Sequence, residues 1–184
     1  MNLLNLLITD VIPRIKQHDR SSLIGEGTQA EVYDKFTSEE HQHVCFKVFY
    51  PKGEYAVDEY TILKHLYDKR LAVPKPLELF EEANAYAMEK IHGHNLEEII
   101  SNGLKLSEDV IEAMTDELKD ICAVVHHNDL STRNVMFGDI TIEDNVIVDA
   151  APYVIDFGHS SIHKTTVKSE EYMNVVRAMH RIKA

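Results

Sequence analysis

Apolar residues recur at helical spacing in several stretches of this chain. Residues 2–17 keep one apolar side and predict a first helix, which Pro13 kinks or ends. The same periodicity recurs in residues 54–70, in a long stretch that Ser107 could cap, and in residues 170–182. It predicts a further helix in each of these three places. The apolar side of the first helix consists of Leu4, Leu7, Ile8, Val11, Ile12 and Ile15.

Between the first two helices the pattern changes to short runs of the β type. Residues 23–49 contain three such runs, at 23–24, 31–36 and 44–49, with glycines in the first turn. Farther on, residues 77–80 and 85–91 flank an acidic turn and predict a β-hairpin.

The second half of the sequence reads as mostly helical. Asn95 followed by Glu98 has the form of a capping box and predicts a helix start. Residues 134–137 and 153–155 predict two short strands flanking a connection at 138–152. The segment His92-Gly93-His94 is interpreted as a linker. We therefore expect one domain over 1–184, with an N-terminal helix (1–22), an N-lobe (23–91) and a reduced C-lobe (92–184).

Composition excludes some classes of function. The chain has 184 residues and a formal net charge of −12, which disfavours nonspecific binding to nucleic acid or to anionic membranes. Two distant cysteines, Cys45 and Cys122, suggest neither a disulfide framework nor a zinc site, so a reducing compartment is expected. The apolar start lacks the features of a signal peptide. We expect a cytoplasmic protein, acting in its own cell or delivered into another.

A glycine-rich segment precedes a lysine in a strand. Gly25 and Gly27 lie between two β runs, as in turns that cover nucleotide phosphates, although an isolated Gly-x-Gly is more often an ordinary hairpin. Lys47 falls within the run 44–49, and a lysine directed into apolar surroundings needs an anion. ATP phosphates and Glu59 are the candidates. Glu54 and Asp58 compete with Glu59, but the helical register with Leu63 and Leu66 favours Glu59.

Two acids and one amide form a second group of candidate catalytic and metal-binding residues. Asp129 and Asn134 are five positions apart in the loop His127-Asn128-Asp129-Leu130-Ser131-Thr132-Arg133-Asn134, and Asp156-Phe157-Gly158 follows. This spacing lets one loop present a carboxylate to an acceptor hydroxyl and an amide oxygen to Mg²⁺, with Asp156 as a second metal ligand. His127 is expected to hold the loop. The pairs His41/His43 and His92/His94 lack a third ligand and are interpreted as turn residues.

These motifs resemble the protein-kinase-like superfamily, in the same order and approximate spacing from residue 23 onward. The compact form is similar to minimal atypical kinases: the RIO type, the small kinase of the KEOPS complex and small secreted bacterial effector kinases. The resemblance implies an α+β, two-lobed protein-kinase-like fold. Its N-lobe would be an antiparallel β-sheet with one helix, and its truncated C-lobe would be mostly helical.

The resemblance also implies a role for each matching residue. Asp129 would be the catalytic residue that positions the acceptor hydroxyl. Lys47 would contact the α- and β-phosphates with Glu59 orienting it, and Asn134 and Asp156 would bind the metal. The cofactors would be ATP and Mg²⁺. The residues expected to bind the nucleotide are Ile24, Gly25, Gly27, Val32, Lys47, Met88, Glu89 and Ile91.

The sequence also departs from the usual kinase pattern. Ala30 replaces the third glycine, and Asn128 replaces the arginine that receives an activation-loop phosphate. Ser131 replaces the catalytic-loop lysine, for which Arg133 could compensate in part. No Ala-Pro-Glu segment follows Asp156, so the usual platform for a peptide substrate is not expected.

Three functions remain open at this point. The first is a Ser/Thr protein kinase, which could autophosphorylate or depend on a protein partner. The second is a small-molecule kinase, against which the short C-terminal part argues. The third is a nucleotide-gated binding or regulatory module with weak or ATPase activity. Protein substrates or activating partners are expected in the first and third cases, with no direct binding to nucleic acid or membrane.

Overall fold

The computed structural model describes residues 2–17, 19–34, 42–50, 55–162 and 170–184. The predicted positions Phe36, His41 and Glu54 lie outside these ranges. The chain forms two compact units. Unit 1 comprises Met1–Lys64 and Lys75–Lys90, and unit 2 comprises His65–Pro74 and Ile91–Ala184.

The N-terminal helical segment of unit 1 contains a π-helical turn. Helix α1 (Leu3–Leu6) leads into the π turn Leu7–Val11 and then into helix α2 (Ile12–Lys16). The turn ends two residues before Pro13, which has no N–H to donate to the preceding turn. The helix thus continues through the proline by widening instead of breaking.

The π turn changes which side of this helix is buried. Leu6, Leu7 and Val11 are buried, whereas Leu4 is 43% exposed and Ile8 is 53% exposed. The predicted apolar side was therefore wrong at Leu4 and Ile8, because a π turn has more residues per turn than the α-helix assumed in that prediction. The buried side packs on a core formed by Tyr33, Phe46, Phe80, Ala85 and Ala87.

A five-stranded antiparallel sheet forms the rest of unit 1, together with one helix. Its order is β1-β2-β3-β5-β4. The predicted hairpin at 77–91 is confirmed, with a 3₁₀ turn at Glu81–Ala83 between its strands. The strands are β1 (Leu23–Glu26), β2 (Ala30–Tyr33), β3 (Val44–Phe49), β4 (Pro76–Phe80) and β5 (Ala85–Glu89).

Helix α3 (Tyr55–Asp68) confirms the predicted helical register. Ala56, Glu59, Leu63 and Leu66 are all buried, so one side of the helix faces the protein interior. Asp58 lies on the exposed side. A carboxylate is thus buried among apolar side chains, which is stable only when positive or hydrogen-bonding groups face it.

Three helices of unit 2 agree with the sequence. Helix α4 (Leu96–Ser101) begins with the predicted capping box, in which Asn95 and Glu98 bond each other's backbone N–H groups. Helix α5 (Glu108–Cys122) is capped by Ser107, and helix α6 (Glu170–Arg181) is the last. The buried stripe of α5 consists of Val110, Ile111, Met114, Leu118 and Ile121.

The strands of unit 2 are longer and more numerous than predicted. Strands β9 (Val135–Glu143) and β10 (Val146–Val154) form a continuous antiparallel hairpin, so the predicted connection at 138–152 was wrong. Strands β6 (Gly93–Asn95) and β7 (Lys105–Leu106) complete a four-stranded sheet of order β6-β9-β10-β7.

The interpretation of His92-Gly93-His94 as a linker was also wrong for its last two residues. Gly93 and His94 pair with Gly138 and Phe137 of β9. A Cβ atom added at Gly93 would lie 1.8 Å from the backbone oxygen of Phe137, so β6 can approach β9 only with glycine at this position.

In the part of the chain that the structure describes, no helix is both long enough and apolar enough to cross a lipid bilayer.

Candidate functional site

Lys47 lies in the middle of unit 1. It occupies β3 between Val32 of β2 and Tyr86 of β5, and only 7% of its surface is exposed. Its Nζ is 2.8 Å from Oε1 of Glu59 and 5.4 Å from the centre of the Phe49 ring. The ammonium group is therefore held by a buried carboxylate and an aromatic face.

Glu59 is the acid of α3 that reaches this lysine. It is 2% exposed, whereas Asp58 is exposed and Glu54 lies outside the described residues. Among the described residues of α3, Glu59 is the acid whose helical register places a carboxylate at Lys47 of β3. The structure thus brings Lys47 and Glu59 together within unit 1.

Tyr86 is a member of this cluster that the sequence analysis missed. Its hydroxyl donates to Oε1 of Glu59 at 3.0 Å, the same oxygen that Lys47 contacts. Tyr86 is 1% exposed, and its ring packs against Phe49 and Tyr60. Tyr86 lies within the predicted strand 85–91, so the sequence did indicate its secondary structure. Only the register of β3 against β5 places it opposite Lys47.

Removal of this hydroxyl provides a test of the cluster. We expect Tyr86→Phe to lower the free energy of unfolding by about 1–2 kcal/mol, because a buried carboxylate loses one of its donors. Tyr60→Phe is the matched control, since no described residue receives a hydrogen bond from the Tyr60 hydroxyl, and its effect should stay within about 0.5 kcal/mol. Urea denaturation measures both. Equal losses in the two variants would show that the hydroxyl of Tyr86 adds nothing beyond packing.

The other predicted nucleotide-binding residues of unit 1 lie on β1, β2 and β5. The Gly27 N–H donates to the Ala30 oxygen at 2.9 Å and closes the turn between β1 and β2, and Ile24 is 45% exposed beside it. Met88 and Glu89 end β5, where their backbone oxygens face the Cys45 thiol. Ile91 belongs to unit 2.

In unit 2 a pair of hydrogen bonds joins Asp129 and Asn134. The Asn134 side-chain amide donates to the backbone oxygen of Asp129 at 2.7 Å and to its carboxylate at 3.3 Å. Asn134 is 7% exposed, and its own N–H donates to the Ser131 oxygen. The amide nitrogen is thus used internally, which leaves the amide oxygen as the atom suited to a cation.

Asp156 follows directly after a residue bonded to Asn134. The Ile155 N–H donates to the backbone oxygen of Asn134 at 2.9 Å, and His127 Nε2 lies 3.0 Å from the Ile155 oxygen. Asp156 itself is exposed and has a left-handed backbone, with φ of 63°. Such backbone strain is concentrated at functional positions. The structure thus places Asp129, Asn134 and Asp156 in one hydrogen-bonded region of unit 2.

Asn128 links this region to the segment after Asp156. Its side-chain amide donates to the His159 oxygen at 2.8 Å, and its amide oxygen is 2.9 Å from Nδ1 of His126. Strand β8 (Val125–His126) pairs with strand β11 (Ser161–Ile162) alongside. Neutral contacts therefore join the two segments where typical kinases place an arginine for a phosphate.

His127 is a buried, neutral support of the loop. Burial lowers its pKa below the ordinary value, which outweighs the hydrogen bond to Ile155. Its ring lies 5.0 Å from the Phe157 ring, centre to centre.

This lowered pKa predicts a dependence of stability on pH. Below about pH 6.5 the unfolded chain binds a proton at this position that the folded chain does not, so stability falls as pH falls. We expect His127→Gln to lose less stability than the wild type between pH 7 and pH 5. His180→Gln, on the exposed end of α6, is the control and should follow the wild type. Thermal unfolding at several pH values measures the difference, and parallel curves for the wild type and His127→Gln would contradict the assignment.

The sequence model of the RIO domain family matches residues 28–177, which is most of the chain. The chain belongs to the RIO domain family. The matched range contains Lys47, Glu59, Asp129, Asn134 and Asp156, and it leaves out the N-terminal helical segment and β1. The predicted resemblance to minimal atypical kinases of the RIO type is confirmed.

Solved structures with a similar fold align along nearly the whole chain. The Rio2 kinase-ADP/Mg²⁺-phosphoaspartate complex from Chaetomium thermophilum aligns with a TM-score of 0.56 at 14% identity, over 98% of this chain and 60% of that chain. The Rio2 kinase from the same organism aligns with a TM-score of 0.57 at 13% identity, over 98% and 62%. WaaP in complex with acyl carrier protein aligns with a TM-score of 0.56 at 13% identity, over 97% and 78%.

At these identities the similarity concerns the fold, and it confirms the predicted α+β protein-kinase-like fold with an antiparallel N-terminal sheet. The RIO-domain chain spans about 60% of the length of the Rio2 kinase chains. A sequence search of curated proteins finds no significant match. Family and fold together support a kinase-like phosphotransferase.

Proposed function

We propose that this RIO-domain chain is an ATP- and Mg²⁺-dependent protein kinase that phosphorylates serine or threonine. The observation that carries the proposal is the bonded pair Asp129 and Asn134 beside Asp156. It presents an exposed carboxylate and an oriented amide oxygen from one loop, together with a second carboxylate. These are the groups that phosphoryl transfer requires from a protein.

The residues fit a magnesium ion by their chemistry. An amide oxygen and a carboxylate are hard ligands, and Mg²⁺ in kinases takes few protein ligands because phosphate oxygens and water complete its shell. Groups of three or more His, Cys, Asp or Glu suited to a metal are absent from the described residues. A site that depends on phosphate for its remaining ligands agrees with this absence. Bound magnesium would neutralise the charge of the polyphosphate.

Each residue of the chain then has a distinct task. Asp129 accepts the proton of the acceptor hydroxyl and orients its oxygen. Asn134 and Asp156 hold the metal. Lys47 binds the α- and β-phosphates, and Glu59 with Tyr86 fixes the direction of the lysine side chain.

The geometry of the glycines supports nucleotide binding at β1 and β2. Neither Gly25 nor Gly27 has a positive φ, and a Cβ at Gly27 would meet nothing closer than 3.7 Å. The fold of the chain itself therefore does not require glycine at these positions. Close approach of a ligand to the backbone is a remaining reason for a glycine.

A labelling experiment tests the proposed function. The purified chain is incubated with γ-labelled ATP and Mg²⁺ in three reactions, with cell lysate, with generic protein substrates and with a panel of small hydroxylated compounds. We expect label on Ser or Thr of a protein, stable to hydroxylamine. Label on a small molecule would favour the small-molecule kinase, and release of phosphate without labelled acceptor would contradict the protein kinase.

A second candidate is a binding or regulatory module with weak ATPase activity. It is favoured by the neighbouring Rio2 kinase, which forms a complex with ADP, Mg²⁺ and phosphoaspartate. In such a reaction a carboxylate accepts the phosphoryl group and water then releases phosphate, so the net change is ATP hydrolysis. Hydroxylamine-sensitive label on the chain would support this candidate. A partner that binds the wild type and Lys47→Ala equally, with no transfer by the wild type, would also support it.

A further inference from the structure

The outer half of the β9–β10 hairpin extends past its neighbouring strand. Asp144 and Asn145 connect the two strands with left-handed φ values of 49° and 66°, a two-residue turn of the type that fits the twist of a hairpin. Strand β6 pairs with β9 only at Met136, Phe137 and Gly138, and the Asp139 N–H still bonds the His92 oxygen. From residue 140 to residue 143 the edge of β9 has no partner among the described residues.

An open edge of this kind can accept another strand. In an antiparallel ladder every second residue directs its N–H and C=O away from its partner strand. The pairing of β9 with β10 is irregular on either side of Asp149, which lies opposite Thr141, so the outward groups of β9 between residues 140 and 143 do not follow a strict alternation. Addition of an extended peptide to such an edge gains backbone hydrogen bonds. The side chain of Ile142 is 48% exposed here and adds apolar surface.

The hairpin is supported from the opposite side, so its edge is fixed. Strand β10 pairs in parallel with β7 at Val146 and Ile147, and Ile147 is fully buried. Helix α5 packs against β10. A pre-formed edge reduces the ordering cost of binding.

The charge of the hairpin selects the partner. Residues 139–149 contain four carboxylates, Asp139, Glu143, Asp144 and Asp149, and no Lys, Arg or His. All four are exposed. A second copy of the chain would bring equal charges together at this edge, whereas a basic strand would pair with opposite charges.

We propose that the outer edge of β9 binds an extended basic segment of a protein partner by strand addition. The segment would carry Lys or Arg alternating with apolar residues. This places peptide recognition on the hairpin.

The open edge of β9 lies on the same strand that follows Asn134, which suggests that the bound partner is the substrate of the kinase. This interpretation rests on the proposed function. Strand β9 begins one residue after Asn134. At about 3.3 Å per residue, residues 140–143 lie roughly 20–30 Å along the strand from that metal ligand. A substrate would then carry its basic segment about six to nine extended residues from the acceptor hydroxyl.

Fluorescence anisotropy without nucleotide tests the binding separately from catalysis. The probe is the labelled peptide Lys-Val-Lys-Val-Lys-Val-Lys, compared with the same peptide N-methylated at every residue. We expect the unmodified peptide to bind at least about tenfold more tightly, since methylation removes the N–H donors but keeps the charge. We also expect Asp129→Asn to bind the peptide as the wild type does. A wild-type chain that binds the peptide but transfers no phosphate to any acceptor would contradict the proposed function and leave this inference standing.

Charge reversal on the hairpin is the second test of this binding. Glu143→Lys/Asp149→Lys should weaken binding at least tenfold, whereas the control Glu112→Lys/Asp120→Lys, with the same charge change on exposed positions of α5, should retain it. Equal binding of the methylated peptide would show charge attraction alone and overturn the inference. Unchanged affinity of the hairpin variant, or a wild-type dimer in sedimentation that the hairpin variant loses, would overturn it as well.

Discussion

Replacement of Asp129 by asparagine is expected to reduce the kcat of phosphoryl transfer by about 10³-fold while the affinity for nucleotide changes little. The substitution removes the proton acceptor and its charge but keeps the shape of the side chain. The shorter bond from Asn134 goes to the backbone oxygen of Asp129, so the loop should keep its conformation. Labelled transfer and calorimetric titration with ATP measure the two effects.

The matched control for this variant is Asp120→Asn on the exposed side of α5, which should transfer at the wild-type rate. Full transfer by Asp129→Asn would remove Asp129 from the role of base. A parallel loss of nucleotide affinity would indicate instead that the loop had collapsed.

Breaking the pair of Lys47 and Glu59 should have the largest effect on stability. Lys47→Met leaves a carboxylate that is 2% exposed without its cation, which costs about 3–5 kcal/mol in other buried pairs. The exposed pair Lys119 and Asp116 provides the control, because Lys119→Met should unfold at nearly the same urea concentration as the wild type. Urea denaturation gives both values.

A double variant separates the stability of this pair from its function. Lys47→Met/Glu59→Gln contains no buried charge at either position, and glutamine can still accept from Tyr86. We expect it to recover at least about 2 kcal/mol relative to Lys47→Met but to transfer no phosphate, because the contact to the α- and β-phosphates is absent. Recovery of transfer in the double variant would show that Lys47 contributes only to folding.

Local patterns in the sequence indicated the charged and amide side chains of the candidate site. Lys47 follows from strand alternation, Glu59 from the helical register with Leu63 and Leu66, and the loop of Asp129 and Asn134 from spacing. Each of these signals lies within one element or one loop. The roles assigned to these residues remain predictions.

The features that were missed depend on contacts between elements. Tyr86 meets Glu59 only through the register of β3 and β5, and Gly93 lies in a strand only because β9 passes beside it. The long hairpin did carry a local signal, the Asp144-Asn145 pair between alternating apolar residues. Asp-Asn is a weaker turn signal than Asn-Gly or Asp-Gly, because glycine adopts a positive φ at no steric cost.

The contacts of Asn128 have a consequence for regulation. Its amide joins the loop of Asp129 to His159 by hydrogen bonds that form during folding. No added phosphate is needed to assemble this arrangement. Under the proposed function, the loop of Asp129 would therefore be joined to the segment after Asp156 without phosphorylation at this position.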